Sequence, residues 1–99
     1  MDIDVQQLID GQIPTLVEIY ASWCPHCQHM MPIVENLTTT YTGKANIVGF
    51  DGSEHPEVRR AFGAKVYPTW ILFKEGQEMW RSEGEKESWE LEDVLDRYI

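Results

Sequence analysis

Residues 14–21, PTLVEIYA, form a dense apolar run of strand length, and a helical pattern begins only a few residues after it. Runs of this composition are typical of a strand that is covered on both faces. A second run, NIVGFD at 46–51, predicts another buried strand. Between the two strands, apolar side chains recur at helical spacing from Cys24 onward, and Gly43 ends this helical pattern. The apolar positions are Met30, Ile33, Val34, Leu37 and Tyr41. Strand, helix and strand in this order predict a βαβ unit with parallel strands and a right-handed crossover.

Three shorter helical patterns surround this unit. The first covers residues 4–10, where DVQQLID has its apolar residues on one side. The second covers 53–63, with Ser53 as the expected N-cap and a glycine at its end. The third begins at Ser88, another expected cap, and continues towards the C-terminus.

Two further strands are predicted near the C-terminal end of the chain. TWILF at 69–73 and QEMWRS at 77–82 are separated by KEG, a turn sequence that predicts an antiparallel hairpin. No repeat, linker or low-complexity segment interrupts the pattern. The 99 residues are therefore expected to form a single domain, residues 1–99, of α/β class with helices on both faces of one sheet.

The charge and hydropathy of the chain exclude several classes of partner. The formal net charge is −9, which disfavours nucleic acid and anionic membrane surfaces. The acidic run from Glu75 to the end of the chain is interpreted as a solvated face, with a docking surface for a basic partner as the alternative. No stretch approaches the roughly 18 apolar residues of a membrane-spanning helix, and the N-terminus, MDIDVQQLIDGQ, is not of signal-peptide type. We expect a cytoplasmic monomer, or a periplasmic protein if a signal peptide has been removed.

Cys24 and Cys27 are the only cysteines of the chain, and they lie where the first strand has ended and the helix begins. A disulfide between them closes a very small loop, which contributes little to stability in the chain-entropy model. The unpaired N–H groups and the dipole of the helix N-terminus stabilise an anion, so Cys24 should be the attacking thiolate. Cys27, one turn further, should be the resolving thiol. The pair predicts a dithiol redox site.

Pro25 and His26 separate the two cysteines. Pro25 suits the first helical turn, where its missing N–H costs nothing. An imidazolium at His26 would add positive charge beside the Cys24 sulfur and stabilise its thiolate. Because this favours the reduced form, His26 is expected to make the disulfide a stronger oxidant, by roughly 30 mV for each tenfold change in the equilibrium constant.

Three other uses of the cysteines are weighed against a redox site. A zinc site drawing on Cys24, Cys27, His29 and His26 remains an alternative, although no second cysteine pair is present. A c-type haem requires histidine directly after the second cysteine, where this chain has Gln28. Inert core cysteines are disfavoured because a position at the start of a helix argues against burial.

The segment W-C-P-H-C after LVEIYAS resembles the active-site signature of the thioredoxin superfamily. Pro32 resembles the proline inside the active-site helix of thioredoxins, and YPTWILFKEG resembles their cis-proline strand and hairpin turn. Gly84, eight residues after Gly76, matches another glycine of that pattern. The resemblance covers nearly the whole chain, and it implies a thioredoxin-like fold with a four-stranded mixed sheet of order 2-1-3-4.

The resemblance also implies roles for residues around the dithiol. Trp23 would flank the nucleophile. Tyr67 and Pro68, the latter after a cis peptide bond, would face the cysteines and hold an extended substrate segment together with Gly84. Glu18 is a carboxylate inside an otherwise apolar strand, where burial without a partner is expensive. In thioredoxins an aspartate at the matching position helps to move the proton of the second cysteine, so Glu18 is a candidate general base for Cys27.

Two departures from the thioredoxin pattern affect these expectations. Thioredoxins carry a lysine near that acid on the next strand, and NIVGFD has none, since Lys44 precedes it. Pro-His between the cysteines resembles bacterial periplasmic disulfide oxidases, yet this chain has no room for their inserted helical domain.

Together these features predict a protein disulfide reductase that requires no cofactor or metal. Its expected partners are protein disulfides or dithiols and a reductase that resembles thioredoxin reductase. The alternatives are a periplasmic oxidase or isomerase, and a non-catalytic metal-binding or interaction module on the same fold.

Overall fold

The computed structural model describes residues 3–99, with side chains from Val5 onward, as a sheet with helices on both faces. Residues 1 and 2 lie outside the described part of the chain, although the single-domain prediction includes them. The side chain of Asp4, at the predicted start of the first helix, also lies outside it. The elements in chain order are α1 (Ile3–Asp10), β1 (Thr15–Tyr20), α2 (Pro25–Thr40), β2 (Asn46–Asp51), α3 (Pro56–Phe62), β3 (Thr69–Lys74), β4 (Gln77–Glu83) and α4 (Ser88–Tyr98). No helix among the described residues is long and apolar enough to cross a membrane.

The four strands have the order β2-β1-β3-β4. Strand β1 pairs in parallel with β2 and antiparallel with β3, and β3 pairs antiparallel with β4. The predicted mixed sheet of order 2-1-3-4 and its terminal hairpin are therefore confirmed. Gly76 has φ +78°, the left-handed conformation that the tight turn between β3 and β4 requires.

Alternation of side chains along β1 and β3 produces two apolar cores, one on each face of the sheet. The core shared with α2 and α4 contains Leu16, Met30, Leu37, Trp70, Leu72, Leu91 and Leu95. The core shared with α1 and α3 contains Ile9, Val17, Ile19, Phe62 and Ile71. Both central strands are thus covered on both faces, as the dense apolar run of β1 predicts.

Strand β2 differs from the prediction of a second fully buried strand. Its first five residues are half-buried or exposed, and only Asp51 is buried. The reason is its position at the edge of the sheet, where one side of the strand faces solvent.

The predicted caps of two helices are wrong. Helix α3 begins at Pro56 with His55 as its N-cap, because Ser53 donates its N–H and its hydroxyl to the Asp51 carboxylate and closes a turn there instead. Helix α4 is capped by Glu87, which forms a capping box with Glu90. Ser88 is the first helical residue rather than the cap.

Candidate active site

The two cysteines lie where β1 leads into α2. Cys24 is the N-cap of α2 in an extended conformation (φ −85°, ψ 122°), and Cys27 lies in the first helical turn after Pro25. Both are free thiols. The expectation that their position argues against burial is wrong, because Cys24 is only 6% exposed and Cys27 only 3%. They pack against Ala21, Tyr20 and Tyr67, which close over the start of the helix.

The loop before β3 covers the Cys24 sulfur. The Tyr67–Pro68 peptide bond is cis, as the resemblance predicts. The Cys24 thiol lies 3.9 Å from the carbonyl oxygen of Tyr67. Trp23 is 64% exposed and packs edge-to-face on Tyr67, with ring centroids 5.8 Å apart. An exposed aromatic surface therefore adjoins the buried Cys24 thiol.

Gly84 holds the end of β4 against the same loop. Its N–H donates to the Pro68 carbonyl at 2.8 Å, and its own carbonyl accepts a hydrogen bond from the Trp70 indole at 2.8 Å. Its φ of +89° is a conformation that residues with a Cβ rarely adopt. The structure thus places Trp23 and Tyr67 beside Cys24, and it connects Gly84 to this loop through the Pro68 carbonyl.

His26 contacts an acidic residue that the sequence analysis did not single out. The Nδ1 atoms of His26 and His29 lie 2.5 and 3.3 Å from the two carboxylate oxygens of Glu85, in the loop between β4 and α4. The hydrogen bond with His26, followed by that with His29, lowers the pKa of Glu85. A positive charge on His26 is therefore accompanied by the negative charge of Glu85. Its neighbour Gly84 was the only sequence signal that pointed to this position.

Glu18 is buried on the central strand, 7% exposed. Burial raises the pKa of its carboxyl from 4.5 to about 7. Within the described part of the chain no group donates a hydrogen bond to it. Its neighbours across the sheet are Gly49 on β2 and Trp70 on β3, neither of which carries a charge.

Cys27 is a much weaker acid than an ordinary thiol. Burial is the largest cause and raises its pKa to about 12, with smaller contributions from the neighbouring Cys24 thiol and the Glu18 charge. A hydrogen bond with the backbone of Ala21 opposes this effect. Cys27 therefore holds its proton until a base removes it.

A cleft of about 530 Å³ opens beside the dithiol, between the end of β1 and the face of α2, and Glu18 and Cys27 both line it. Solvent can reach Cys27 and the Glu18 carboxyl through this cleft. Sequence reasoning did not predict the cleft, because it depends on how α2 packs across the sheet.

Asp51 supports the segment that precedes the cysteines. Burial opposes ionisation of its carboxyl, but hydrogen bonds from the Ser53 hydroxyl and from the backbone N–H groups of Glu54, Ser22 and Ser53 together lower its pKa to about 2. The bond from Ser22, 3.2 Å long, connects the end of β2 to the residue just before Trp23. The sequence signal was an aspartate at the end of a strand.

The structure bears on the alternative of a zinc site. Among the described residues, no three His, Cys, Asp or Glu side chains are grouped so that they could hold a metal ion. His26 and His29 contact Glu85 through their Nδ1 atoms instead.

Two thiols at the N-terminus of a helix, beside a cis-proline loop on a mixed sheet, define the class of dithiol redox proteins. Comparison with known proteins agrees with this class. The family model described as Thioredoxin matches residues 4–97. Thioredoxin from Staphylococcus aureus is 32% identical over 98 residues, 99% of this chain and 93% of that protein. Thioredoxin 1 from Nostoc sp. is 30% identical over 94 residues, 95% of this chain and 88% of its own length.

Solved structures show the same similarity. The crystal structure of thioredoxin NaTrxh from Nicotiana alata has a TM-score of 0.89 and 28% identity, covering 97% of this chain and 82% of the other. The chain belongs to the thioredoxin family, and it is a thiol-disulfide oxidoreductase.

Proposed function

We propose that this chain reduces disulfides in protein substrates and that Cys24 is its nucleophile. The observation that carries the proposal is the position of Cys24 as the N-cap of α2, under the Tyr67 carbonyl and next to an exposed tryptophan. The N–H groups and dipole of the helix N-terminus stabilise a thiolate there. Trp23 and the cis-proline loop form the surface on which an extended substrate segment would lie, with Pro68 and Gly84 at its side.

The reaction balances as two exchange steps. The Cys24 thiolate attacks one sulfur of the substrate disulfide, forming a mixed disulfide and releasing the other sulfur as a thiolate that takes up a proton. The Cys27 thiolate then attacks the Cys24 sulfur, and the second substrate thiol leaves. The substrate gains two electrons and two protons, and the Cys24–Cys27 pair becomes a disulfide.

Glu18 is proposed as the base for the second step. Cys27 must lose its proton before it attacks, and its pKa of about 12 makes spontaneous loss rare at neutral pH. The Glu18 carboxyl, with a pKa of about 7, lines the same cleft and can take this proton directly or through solvent. A general base whose pKa lies close to the working pH is suited to this task.

We propose that His26 raises the reduction potential of the Cys24–Cys27 pair and that Glu85 reduces the size of this effect. An imidazolium next to the helix N-terminus favours the thiolate and hence a more oxidising couple, while Glu85 offsets part of that charge. The Pro-His dipeptide is also the observation that favours the second candidate, an oxidase or isomerase. We further propose a monomer in the cytoplasm that a reductase resembling thioredoxin reductase returns to the dithiol form.

The nucleophile assignment is tested with Cys27→Ser and a protein that contains an exposed disulfide. Because the resolving thiol is absent, a mixed disulfide through Cys24 should accumulate and appear on a non-reducing gel. The matched control is Cys24→Ser, in which only Cys27 remains; because burial raises the pKa of this thiol to about 12, no adduct is expected. Adducts with Cys24→Ser but not with Cys27→Ser would reverse the two roles, and adducts with neither would contradict the proposal.

The direction of electron flow is tested by the equilibrium reduction potential of the Cys24–Cys27 pair in a dithiol buffer. A value within or below about −220 to −320 mV, the cytosolic glutathione range, agrees with a reductase. A value above about −180 mV, near that of protein disulfide isomerase, would replace it with the oxidase or isomerase candidate.

A further inference from the structure

The ring of Tyr20 fills the space that a side chain on the edge strand would otherwise occupy beside Glu18. Glu18 on β1 is paired with Gly49 on β2, and Tyr20 is paired with Asp51. The ring nevertheless lies over Gly49, since a Cβ atom at position 49 would be only 3.0 Å from its Cε1 atom and 3.4 Å from its Cδ1 atom. Residues two apart on a strand share a face and neighbouring strands are about 4.8 Å apart, so a tyrosine can reach this place.

Gly49 makes room for this ring at the edge of the sheet. Strand β2 is an edge strand, and Gly49 is its exposed residue. Two residues earlier, Ile47 packs against the core under α2 and so covers that part of the face. At Gly49 the strand supplies no such cover, and a glycine inside a strand often marks a close approach of another group. Without the Tyr20 ring, Glu18 would therefore border solvent at this edge.

The same ring also borders the resolving thiol. Tyr20 packs against the cluster of Ala21, Cys24 and Cys27, and it lines the cleft together with Glu18 and Cys27. Burial, followed by the charges of Asp51 and Glu18, raises the pKa of Tyr20, so its phenol stays protonated at neutral pH. One neutral ring thus adjoins both the carboxyl that would take the proton and the thiol that would lose it.

We propose that Tyr20 is a positioning residue for the second exchange step, because its ring on Gly49 excludes water from Glu18 at the edge of the sheet and packs over Cys27. Water then reaches the two groups through the cleft. The inference rests on the proposed role of Glu18 as the base. A carboxylate shielded in this way is basic enough to take a proton near neutral pH, whereas a solvated one is not. Tyr20 itself transfers no proton.

The solvation of Glu18 matters because burial is what raises its pKa to about 7. At the facing positions β2 presents Gly49 and β3 presents Trp70, neither of which titrates. The other titratable groups that line the cleft are Tyr20 from β1 and Cys27 and Glu35 from α2. Because the Tyr20 ring is neutral, removing it should change the solvation of Glu18 without removing a charge.

The shielding is tested by the pKa of Glu18 in the reduced, full-length protein, read from the NMR titration of its carboxyl carbon. Tyr20→Ala should lower this pKa from about 7 by about one unit, since water then reaches the carboxyl at the edge of the sheet. Tyr20→Phe keeps the ring and should have the value of the unaltered chain. Tyr98→Ala is the matched control, because it removes another half-buried tyrosine, on α4, whose hydroxyl donates to the Met79 carbonyl. It should leave the pKa of Glu18 unchanged.

The consequence for the reaction is tested by the pH dependence of mixed-disulfide resolution, which a merely structural role of Tyr20 would not shift. A carboxyl with a lower pKa is ionised at lower pH, so the rise of the rate with pH should move to lower pH in Tyr20→Ala. The shift should equal the decrease in the pKa of Glu18, and Tyr20→Phe should show none. If Tyr20→Ala perturbs the fold, NOEs between the Tyr20 ring and the Gly49 α-protons test the placement of the ring in the unaltered chain.

Three results would overturn the shielding, whether or not Glu18 is the base. These are an unchanged pKa of Glu18 in Tyr20→Ala, an equal decrease in Tyr20→Phe or Tyr98→Ala, and the absence of NOEs between Tyr20 and Gly49. A lower pKa of Glu18 with an unchanged pH dependence of resolution would instead contradict Glu18 as the base, and the role of Tyr20 in the second step would fail with it. The two measurements therefore separate a failure of this inference from a failure of the proposed function.

Discussion

Glu18 and Cys27 show how burial at single residues prepares the site for proton transfer. Burial raises the pKa of the Glu18 carboxyl to about 7 and that of the Cys27 thiol to about 12. Burial thus makes the Glu18 carboxylate a stronger base and the Cys27 thiol a weaker acid. In the proposed mechanism the second exchange step depends on this pair, because the attacking species there is the Cys27 thiolate.

Replacing Glu18 with Gln should slow resolution of the mixed disulfide. Glutamine cannot accept the proton, and general base catalysis typically contributes about 10²–10⁴-fold, so we expect a decrease of about 100-fold at pH 7.5. The rate can be followed by stopped-flow tryptophan fluorescence after mixing with a disulfide peptide. In the unaltered chain the rate should increase with pH up to about 7, where Glu18 becomes ionised.

Glu35→Gln is the matched control for this measurement, since it removes a carboxylate from the lining of the same cleft. It should retain the rate and its pH dependence. An equal rate in Glu18→Gln and the unaltered chain would show that solvent alone deprotonates Cys27.

At the residue scale, the contact of His26 with Glu85 should affect the reduction potential of the Cys24–Cys27 pair. Replacing His26 with Gly removes the imidazole next to the dithiol and should lower the reduction potential by tens of millivolts, about 30 mV per tenfold change in the equilibrium constant. The potential is measured by equilibration with glutathione or dithiothreitol. His55→Gly is a control, because His55 lies at the N-cap of α3 and contacts Glu57. A His26→Gly couple with an unchanged potential would contradict a tuning role.

At the scale of elements, the site depends on the junction between β1 and α2. Strand β1 is central in the sheet, and α2 begins five residues after its last residue. The Cys24 N–H bonds to the Ala21 carbonyl, and the Gln28 N–H bonds to the Cys24 carbonyl. These bonds hold Cys24, the proposed nucleophile, at the end of the helix, where the N–H groups of the first turn are unpaired.

The turn after β2 supports this junction through Asp51. Since the pKa of Asp51 is lowered from 3.8 to about 2, its ionised form is stabilised by folding, and this contribution is complete above pH 4 and lost as the pH falls through about 2. The difference corresponds to about 2 kcal/mol of stability.

Asp51→Asn should therefore decrease the free energy of unfolding at pH 7 by about 2 kcal/mol, and the decrease should disappear towards pH 2. Urea unfolding at several pH values provides the measurement. Asp93→Asn is the control, because the Asp93 side chain is 70% exposed on α4. If Asp51→Asn and Asp93→Asn have the same stability at pH 7, the hydrogen bonds to Asp51 do not have the proposed effect.

At the scale of the whole molecule, the net charge of −9 should influence which substrates approach fastest. We expect a disulfide peptide flanked by lysines to be reduced several-fold faster than one flanked by glutamates at 10 mM salt. The ratio should approach one at 150 mM salt, because the screening length falls from about 30 to about 8 Å. The measurement is kcat/KM for the two peptides, which share the same disulfide loop. A ratio that does not change with salt would exclude long-range steering.

Much of the fold follows from local patterns in the chain. The strand runs, the helical spacing after Cys24 and the KEG turn predicted every element of the sheet with bounds close to those observed. Local patterns were less reliable where two interactions compete. Ser53 is a residue type that often caps helices, but here its hydroxyl donates a hydrogen bond to the Asp51 carboxylate. Helix α3 therefore begins three residues later, at Pro56.

The candidate site was predictable to a similar extent. The dithiol, its place at the helix start and the buried Glu18 could be found from spacing and composition, because each depends on neighbours within a few residues. The cis-proline loop and Gly84 required the family resemblance. Glu85 was missed because it contacts His26 across 59 positions of the chain.

The sequence by itself determined the order of the elements, the position of Cys24 at the start of α2 and the acidic character of the chain, since these depend on local periodicity and composition. Only the tertiary structure decided that both thiols are buried, that Glu85 contacts His26, and that a cleft lined by Glu18 and Cys27 opens beside the dithiol. These features arise where elements distant in the chain pack together. The free energy of a charged side chain depends strongly on its burial, and burial is set by this packing rather than by the residues next to it in the sequence.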